Sequence, residues 1–257
     1  MRLAVLALPL LLAACASAPT QSGFLSTYDG MTEREGAVRA AARQKRDPAR
    51  LAEVRQVAVE STRLAQGGDW LTEAERTALL REIDAQLCFE LSERYEIAAT
   101  PGPGVARVRA AVTGVTPTGR AGSVASAAAG FFIPGPIGLR APGALGALIA
   151  EAEMVAADGA QLAAIAWSRT ATAIGTDDPS LSRIGDALQF AEPFADAAAE
   201  VMSPDDPPKR KIAEGADPCA RYGARFRPEG WAAKFATGLY VPQMSGAKRE
   251  AKKDEAN

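Results

Sequence analysis

The sequence lacks histidine altogether, and this absence restricts the chemistry of the 257-residue chain more than any other feature. Without an imidazole, neither Ser-His nor Cys-His nucleophile pairs can form. The commonest zinc sites are excluded as well, because three cysteines cannot supply four ligands by themselves. The composition therefore predicts no metal site, no cofactor and no enzyme, with a His-independent hydrolase as the residual alternative.

A strong charge of either sign and a long apolar run are absent too. The formal net charge of -2 gives no basic surface of the kind that nucleic-acid binding requires. The longest apolar run, from Leu3 to Leu12, is broken by Pro9 and falls short of the ~20 residues that a membrane-spanning helix needs. With 47% hydrophobic and 23% charged residues, the composition is that of an ordinary globular protein.

The amino terminus carries the pattern of a bacterial lipoprotein signal. Met1-Arg2 is positive, the apolar run follows, and the run ends in the tetrad Leu12-Ala13-Ala14-Cys15. A secretory signal needs these three parts in this order. The tetrad resembles the lipobox, in which the cysteine is alkylated by a diacylglycerol, the chain is cut before it, and the new amino group is acylated. We therefore predict that residues 1–14 are a signal peptide and that Cys15 is the lipidated first residue of the mature protein.

The residue after the cysteine bears on location. Ala16 stands where the sorting rule of diderm bacteria uses Asp for the inner membrane, so by resemblance the outer membrane is favoured, with the domain on its periplasmic side. The alternative is a secreted protein cut after Ala16-Ser17-Ala18. If three acyl chains are attached, each buried CH₂ contributes about 0.8 kcal/mol and the anchor is effectively permanent.

Two cysteines remain once Cys15 is lipidated. Cys88 and Cys219 form an even pair in an oxidising compartment, which predicts a disulfide. The alternative is two separately buried thiols. A bridge would join the carboxy-terminal segment to the helix that carries Cys88.

Hydrophobic periodicity predicts an α+β domain over residues 51–202, with a single mixed, mostly antiparallel sheet and two main helices packed on one face. Thr72 and Glu75 have the spacing of a capping box, and apolar residues recur every four positions behind them, so a helix is predicted from Thr72 to about Arg94. A second helix is predicted over residues 178–202, kinked at Pro193. Strands are predicted over residues 54–61, 95–99, 105–116, 149–157 and 161–172.

Alternation on the fourth of these strands predicts that Glu151 and Glu153 point outward to solvent. Asp158-Gly159 then predicts a tight type I′ turn into the next strand. Arg107 and Arg109 would pair with the two glutamates across neighbouring strands.

The flanks of the domain are predicted from their composition. Residues 15–50 are read as the lipidated cysteine, a tether and a charged connector that lies in solvent or contacts anionic lipid headgroups. Residues 203–244 are predicted to be a linker and a packed segment that contains Trp231, Phe235 and Tyr240. Residues 245–257 are charged and lack apolar anchors, which predicts a disordered tail.

A Gly- and Ala-rich segment over residues 114–146 contains the run Phe131-Phe132-Ile133-Pro134. Apolar residues on a long loop predict a contact with a partner or a membrane through Phe131, Phe132 and Ile133. The alternative is a small helical excursion between two strands.

Three weak motifs carry a family resemblance when they are taken together. They are Ser22-Gly23-Phe24-Leu25-Ser26-x-Tyr28, the turn Pro101-Gly102-Pro103-Gly104 before an Arg/Val/Ala strand, and the Asp158-Gly159 turn. They resemble a proteobacterial outer-membrane lipoprotein family catalogued as a domain of unknown function, over residues 22 to about 202. The resemblance implies no catalytic residues. Ala156-Ala157 departs from the family, which usually has a polar residue and Thr before the turn glycine.

These features predict a membrane-anchored, periplasm-facing and non-catalytic lipoprotein, an interaction or accessory component of the cell envelope. Its expected partners are the membrane and an envelope protein, not nucleic acid. The alternative is a periplasmic domain that binds a small ligand between helix and sheet, in a pocket lined by Trp167 or Trp70.

Overall fold

The structure is a computed structural model that describes residues 19–35, 39–132, 138–140, 143, 145–205, 210, 212 and 216–247. Within these residues one mixed sheet of eight strands packs against helices, and its long central strands are antiparallel. This architecture confirms the predicted α+β fold class. The predicted signal peptide and Cys15 lie outside the described residues, as do Ile133 and residues 248–257.

The sheet has the spatial order β1-β2-β9-β8-β6-β3-β5, and β4 also pairs with β6. Strands β2, β9, β8 and β6 are antiparallel neighbours, whereas β3 runs parallel to both β6 and β5. A separate pair joins β7 to β10. The strands are β1 (Thr32–Glu33), β2 (Ala41–Arg46), β3 (Gln56–Val59), β4 (Arg63–Leu64), β5 (Glu96–Ile97), β6 (Val105–Thr116), β7 (Gly138–Leu139), β8 (Ala147–Val155), β9 (Gln161–Thr170) and β10 (Ile174–Gly175).

Strand β2 lies in the segment that the sequence predicts to be a charged connector. It pairs with β9 along its whole length, from Ala41 opposite Ser168 to Arg46 opposite Ala163. Ala42 is buried beneath the helices, while Arg43 is half-buried on the opposite face. The domain therefore begins upstream of residue 51, and the predicted boundary at residue 50 is wrong. The many charged residues of this segment indicated a connector, although its side chains alternate as in a short strand.

The helices are α1 (Pro48–Leu51), α2 (Glu73–Ser92), α3 (Arg120–Phe132), α4 (Gly185–Gln189), α5 (Ala191–Val201), α6 (Pro228–Thr237) and α7 (Pro242–Ser245). Helix α2 begins at the predicted capping box: the Glu75 amide donates to Thr72 Oγ1 at 3.2 Å, and the Thr72 amide donates to Glu75 Oε2 at 2.9 Å. Its apolar stripe, which includes Leu79 and Ile83, is fully buried in the core. Periodicity and capping together thus located the longest helix correctly.

The predicted second helix is two helices, α4 and α5, and residues 178–184 precede them without helical structure. The interruption between the two helices falls at Phe190, not at Pro193. Pro193 falls in the first turn of α5, where a backbone N–H has no partner within the helix, so proline is accommodated without a kink. The prediction of one kinked helix is therefore wrong.

The turn between β8 and β9 also differs from its prediction. A type I′ turn needs positive φ at both central residues, yet among the described residues Arg39 is the one non-glycine residue with positive φ. Gly159 has a φ of +89°, and the Asp158 carboxylate instead accepts the Ala160 amide at 3.0 Å. The pairing of β8 with β9 shifts by one residue near this turn: Met154 lies opposite Ala163, whereas Val155 lies opposite Gln161.

The Gly- and Ala-rich segment contains a helical excursion, α3, followed by β7. Beyond β7, a buried ion pair fixes the returning chain: Arg140 Nη1 and Nη2 lie 2.5 and 2.9 Å from the Asp186 carboxylate on α4. Asp186 also accepts from Thr118 Oγ1 at 3.0 Å and from the Gly146 amide at 2.7 Å. The two ends of the excursion are thereby joined to the helical layer.

The carboxy-terminal segment only partly matches the predicted packing. Trp231 and Phe235 on α6 are 62% and 83% exposed, whereas Tyr240 is half-buried against the core. Residues 245–247 belong to the folded body rather than to a disordered tail: the Ser245 carbonyl accepts from Arg227 at 2.5 Å, and the Ala247 amide donates to Glu82.

Candidate functional site

The face of the sheet opposite the helices carries two buried carboxylates. Glu151 and Glu153 alternate with Ala150 and Ala152 along β8, as predicted, and they point away from the helical layer. Both glutamates are nevertheless 0% exposed, so the prediction that they face solvent is wrong. Solvent is excluded because residues 22–31, which we call the strap, cross this face of the sheet.

Glu151 receives three hydrogen bonds from the strap. The Ser22 amide and Oγ donate to its carboxylate at 3.2 and 2.6 Å, and Tyr28 Oη donates at 2.8 Å. The same tyrosine oxygen accepts the Gly23 amide at 2.9 Å, which closes the strap on itself. One carboxylate therefore organises both ends of the Ser22–Tyr28 segment.

Glu153 is held by the strap and by its neighbours in the sheet. The Ser26 amide and Oγ each donate at 2.9 Å, and Gln161 Nε2 donates at 2.6 Å. Arg109, directly opposite on β6, forms the predicted ion pair with Glu153. A buried carboxylate is costly unless it is paired and hydrogen-bonded, and Glu153 has partners of both kinds.

The second predicted ion pair is not formed. The register of β6 and β8 places Val155 opposite Arg107 and Ala111 opposite Glu151. Arg107 instead lies 3.8 Å from Glu60. The prediction that Arg107 also pairs with one of the two glutamates is wrong, because the register of the two strands places neither glutamate opposite it.

Small side chains on β9 make room for the strap. Leu25 and Met31 of the strap cluster with Ala164 and Ala166, all of them buried. The Phe24 ring lies 5.3 Å from the Arg109 guanidinium carbon, within the range of a cation–π contact. Alanines below and apolar strap residues above thus surround the two glutamates with hydrophobic packing.

Further hydrogen bonds fix the strap backbone. Gln66 donates to the Ser22 carbonyl at 3.3 Å, and Gln161 donates to the Thr27 carbonyl at 3.1 Å. Arg43 on β2 donates to the Met31 carbonyl at 3.2 Å. Side chains from β2, from β9 and from the segment after β4 therefore hold strap carbonyls near its start, its middle and its end.

This geometry suits attachment more than catalysis, because the donors named above occupy both carboxylates and neither carboxylate is open to solvent. Among the residues that the structure describes, no group of three or more His, Cys, Asp and Glu side chains is placed to hold a metal ion. Within the same residues, no helix is both long and apolar enough to cross a membrane.

The structure places the predicted site residues as follows. Cys88 and Cys219 are joined by a disulfide with their Cα atoms 5.9 Å apart, on the helical side of the sheet. Phe131 and Phe132 are the last residues of α3, and their side chains are not described. Cys15 and Ile133 lie outside the described residues. The disulfide and the strap thus lie on opposite faces of the sheet.

The residues that join strap and sheet were not identified from the sequence. Ser22, Ser26 and Tyr28 belong to the motif that carries the family resemblance, and their hydroxyl groups are the sequence signal for the strap. Local sequence patterns could not reveal these contacts, because the hydroxyl groups bond to glutamates more than 120 positions away.

Trp167 and Trp70, which were expected to line a ligand pocket, each have contacts within the protein. Trp167 is buried in the core, with its ring centroid 5.7 Å from that of Phe194. Trp70 lies under the Arg183 guanidinium and donates to the Val115 carbonyl at 3.3 Å. Both side chains have structural contacts, and Trp167 is part of the packed core between sheet and helices.

Among the solved structures that resemble this chain are two of the PelC dodecamer of Paraburkholderia phytofirmans, one of them a point variant. They are 14% and 12% identical to this chain, with TM-scores of 0.38 and 0.35, and they cover 65% and 66% of it and 99% of the PelC chain. No curated protein matches the sequence. A family model described as "Protein of unknown function (DUF3313)" matches residues 20–198, from just before the strap to near the end of α5. This match spans more than half of the sequence, and the chain therefore belongs to the DUF3313 family.

Proposed function

We propose that this protein is a lipoprotein held at the periplasmic face of the outer membrane through Cys15. Its α+β domain would act without catalysis, as an interaction or accessory component of the cell envelope that contacts another envelope protein. The lipobox-like tetrad that ends in Cys15 supports the anchor. The strap supports the idea that the anchor controls where the domain lies.

The observation that carries the proposal is the short distance in sequence between Cys15 and the strap. Ser22 is already bonded to Glu151 in the sheet, so six residues, 16–21, separate the strap from Cys15. Six residues at 3.3–3.6 Å each reach about 20 Å when fully extended. A lipid on Cys15 would therefore keep the domain close to the bilayer, because no long flexible linker separates the two.

The buried acids support a non-catalytic role. Glu151 and Glu153 bind the strap, and Asp186 binds Arg140, Thr118 and the Gly146 amide. A general acid or base must reach a substrate proton directly or through one water. These three carboxylates instead accept hydrogen bonds from the protein itself and are fully buried.

The alternative, small-ligand binding, would use a different cleft from the one predicted. A cleft of about 330 Å³ lies between α2 and α6 and is lined by Gln86, Gln189, Arg225 and Trp231 among others. This volume is at the lower end of the range of small-molecule sites. Titration of the purified domain with envelope metabolites, followed by thermal midpoint, separates this alternative from the main proposal.

Site-specific photo-crosslinking in living cells tests the main proposal. A photoreactive phenylalanine analogue replaces Phe131 in one strain and exposed Glu33 of β1 in a control strain, with and without Cys15→Ala. We expect the Phe131 probe to capture an envelope protein that the Glu33 probe does not, and the capture to weaken in Cys15→Ala. Absence of any specific adduct from the lipidated protein would contradict the interaction role.

A further inference from the structure

Helix α6 turns its aromatic face to solvent and its small and charged face to the body of the protein. Trp231 and Phe235, one turn apart, are 62% and 83% exposed, and their stacked rings have centroids 5.6 Å apart. On the inner side Gly230 is buried, and a Cβ at this position would lie 2.5 Å from Ser245 Oγ. Lys234 pairs with Asp178 at 2.8 Å. The helix therefore docks through the face that has less apolar surface.

The exposed aromatic pair belongs to a segment that is held at both of its ends. Before α6, Arg227 donates to the Ser245 carbonyl at 2.5 Å. After α6, the Tyr240 amide donates to the Pro179 carbonyl at 2.9 Å, and Ser180 Oγ donates to the Tyr240 carbonyl at 2.8 Å. The two rings are thus presented to the outside by a fixed helix, so that their exposure is not a result of fraying.

The aromatic pair and the start of the strap lie toward the same end of the sheet, where β6 ends and α2 begins. Gln66 donates to Ser22 in the strap, and a few residues later Trp70 bonds to the end of β6. The Trp70 carbonyl accepts from Arg183 at 3.0 Å. Pro179 and Ser180, just before Arg183, are hydrogen-bonded to Tyr240, which lies shortly after the end of α6. The start of the strap and the carboxy-terminal end of α6 therefore lie toward the same end of the domain.

We infer that Trp231 and Phe235 insert into the headgroup region of the bilayer that holds the lipid anchor. This inference rests on the proposed function, since the anchor is what brings α6 near the membrane. A short helix with Trp and Phe on its outer face and a lysine beside them has the composition of an interfacial helix. Lys234 is half exposed and pairs with Asp178, so the negative charge of this carboxylate beside α6 is offset.

The insertion gives the lipoprotein a second contact with the membrane. One contact at Cys15 leaves the domain free to rotate on its tether, whereas a second contact at α6 fixes one end of the sheet against the bilayer. The opposite end, which carries Ile212 beside the end of α2, would then face the periplasm.

Quenching of tryptophan fluorescence by brominated lipids tests the insertion. The lipidated full chain is reconstituted into vesicles of phosphatidylethanolamine and phosphatidylglycerol, with and without bromine on the acyl chains. Trp167 is buried in the core, so we assign the quenched emission by comparing wild type with Trp231→Phe. We expect bromolipid to reduce the emission of Trp231 by roughly twofold or more, because interfacial helices place such rings at the acyl boundary.

Two matched substitutions complete the design. Phe235→Ser removes the second ring and is expected to lower the quenching, whereas Ile212→Ser removes an exposed apolar residue at the opposite end and is expected to leave it unchanged. If the protein sediments with the vesicles but Trp231 is not quenched, the insertion is wrong and the patch faces a protein. If the chain carries no acyl groups, the lipoprotein proposal fails; in that case quenching of the added chain still supports insertion, and its absence overturns it.

Discussion

At the residue scale, docking of the strap depends on which donors and charges pair with Glu151 and Glu153 once these carboxylates are buried. Glu153 has the Arg109 guanidinium beside it, and Glu151 accepts its three named hydrogen bonds from uncharged groups. A buried acceptor that loses a donor costs about 1–3 kcal/mol, more than the net value of a typical hydrogen bond. The donors from the strap are thus expected to be individually important for docking.

Tyr28→Phe tests this expectation. The variant removes the hydroxyl that donates to Glu151 and accepts from the Gly23 amide. We expect the free energy of unfolding to fall by about 1–3 kcal/mol and amide hydrogen exchange over residues 22–28 to accelerate. Tyr95→Phe is the matched control, because Tyr95 Oη donates to the Met202 carbonyl in the helical layer, far from the strap. Unchanged strap protection in Tyr28→Phe would refute the role of this hydroxyl.

Acid should weaken the start of helix α2. The hydrogen bond from Arg183, aided by the Thr72 cap, lowers the pKa of Glu75 from 4.5 to about 2. A carboxyl group with a lowered folded-state pKa stabilises the fold above its unfolded pKa and loses this contribution as the pH falls through the folded value. The stabilisation is therefore complete above pH 4.5 and disappears toward pH 2.

The measurement is the thermal midpoint of wild type and Glu75→Gln as a function of pH. We expect wild type to be more stable at neutral pH and the difference to shrink between pH 4.5 and pH 2. Glu73→Gln changes the adjacent first-turn carboxylate, which lies 3.8 Å from Arg76, and serves as the control. A difference between wild type and Glu75→Gln that does not depend on pH would show that the Arg183 contact does not set the stability.

At the scale of elements, local signals predicted the structure where they were strong. The capping box and four-residue apolar spacing defined α2, and strict alternation gave β6 its bounds, Val105–Thr116. Alternation also found the correct face for Glu151 and Glu153. It could not show that a segment 120 residues away covers this face. The same limit explains β2, whose partner β9 lies far along the chain and whose charges suggested a connector.

On the helical side of the sheet, the disulfide attaches a distant segment covalently, whereas the strap on the opposite face is attached by hydrogen bonds. It joins α2 to the carboxy-terminal segment across 131 positions. In the chain-entropy model a closed loop of this length stabilises by roughly 4–5 kcal/mol. The double variant Cys88→Ser, Cys219→Ser is therefore expected to lower the free energy of unfolding by up to about this amount.

Hydrogen exchange locates the effect of losing the disulfide. Residues 216–247 should lose protection in the double variant, while β6, β8 and β9 keep theirs. Treatment of wild type with dithiothreitol should reproduce this pattern, and the same treatment should leave the double variant unchanged. Full protection of residues 216–247 after reduction would mean that non-covalent packing alone holds the segment.

At the scale of the whole molecule, the chain consists of a family domain and an addition. The family model ends at residue 198, so Cys219 and α6 lie beyond the matched region. The strap lies inside that region and has the residues of the family resemblance. The sequence predicted the fold class correctly, and the anchor at Cys15 stays a prediction. The covered glutamates and the outward face of α6 required the three-dimensional arrangement, because both depend on contacts between distant segments.

The account depends most on a lipid at Cys15, because the short tether has a function only if its far end is fixed in a bilayer. The most direct measurement is the intact mass of the protein extracted from washed cell membranes. The account predicts a chain that begins at Cys15 and carries the added mass of a diacylglycerol and one further acyl group. A chain that retains Met1, or that is recovered without acyl groups from the soluble fraction, would contradict it.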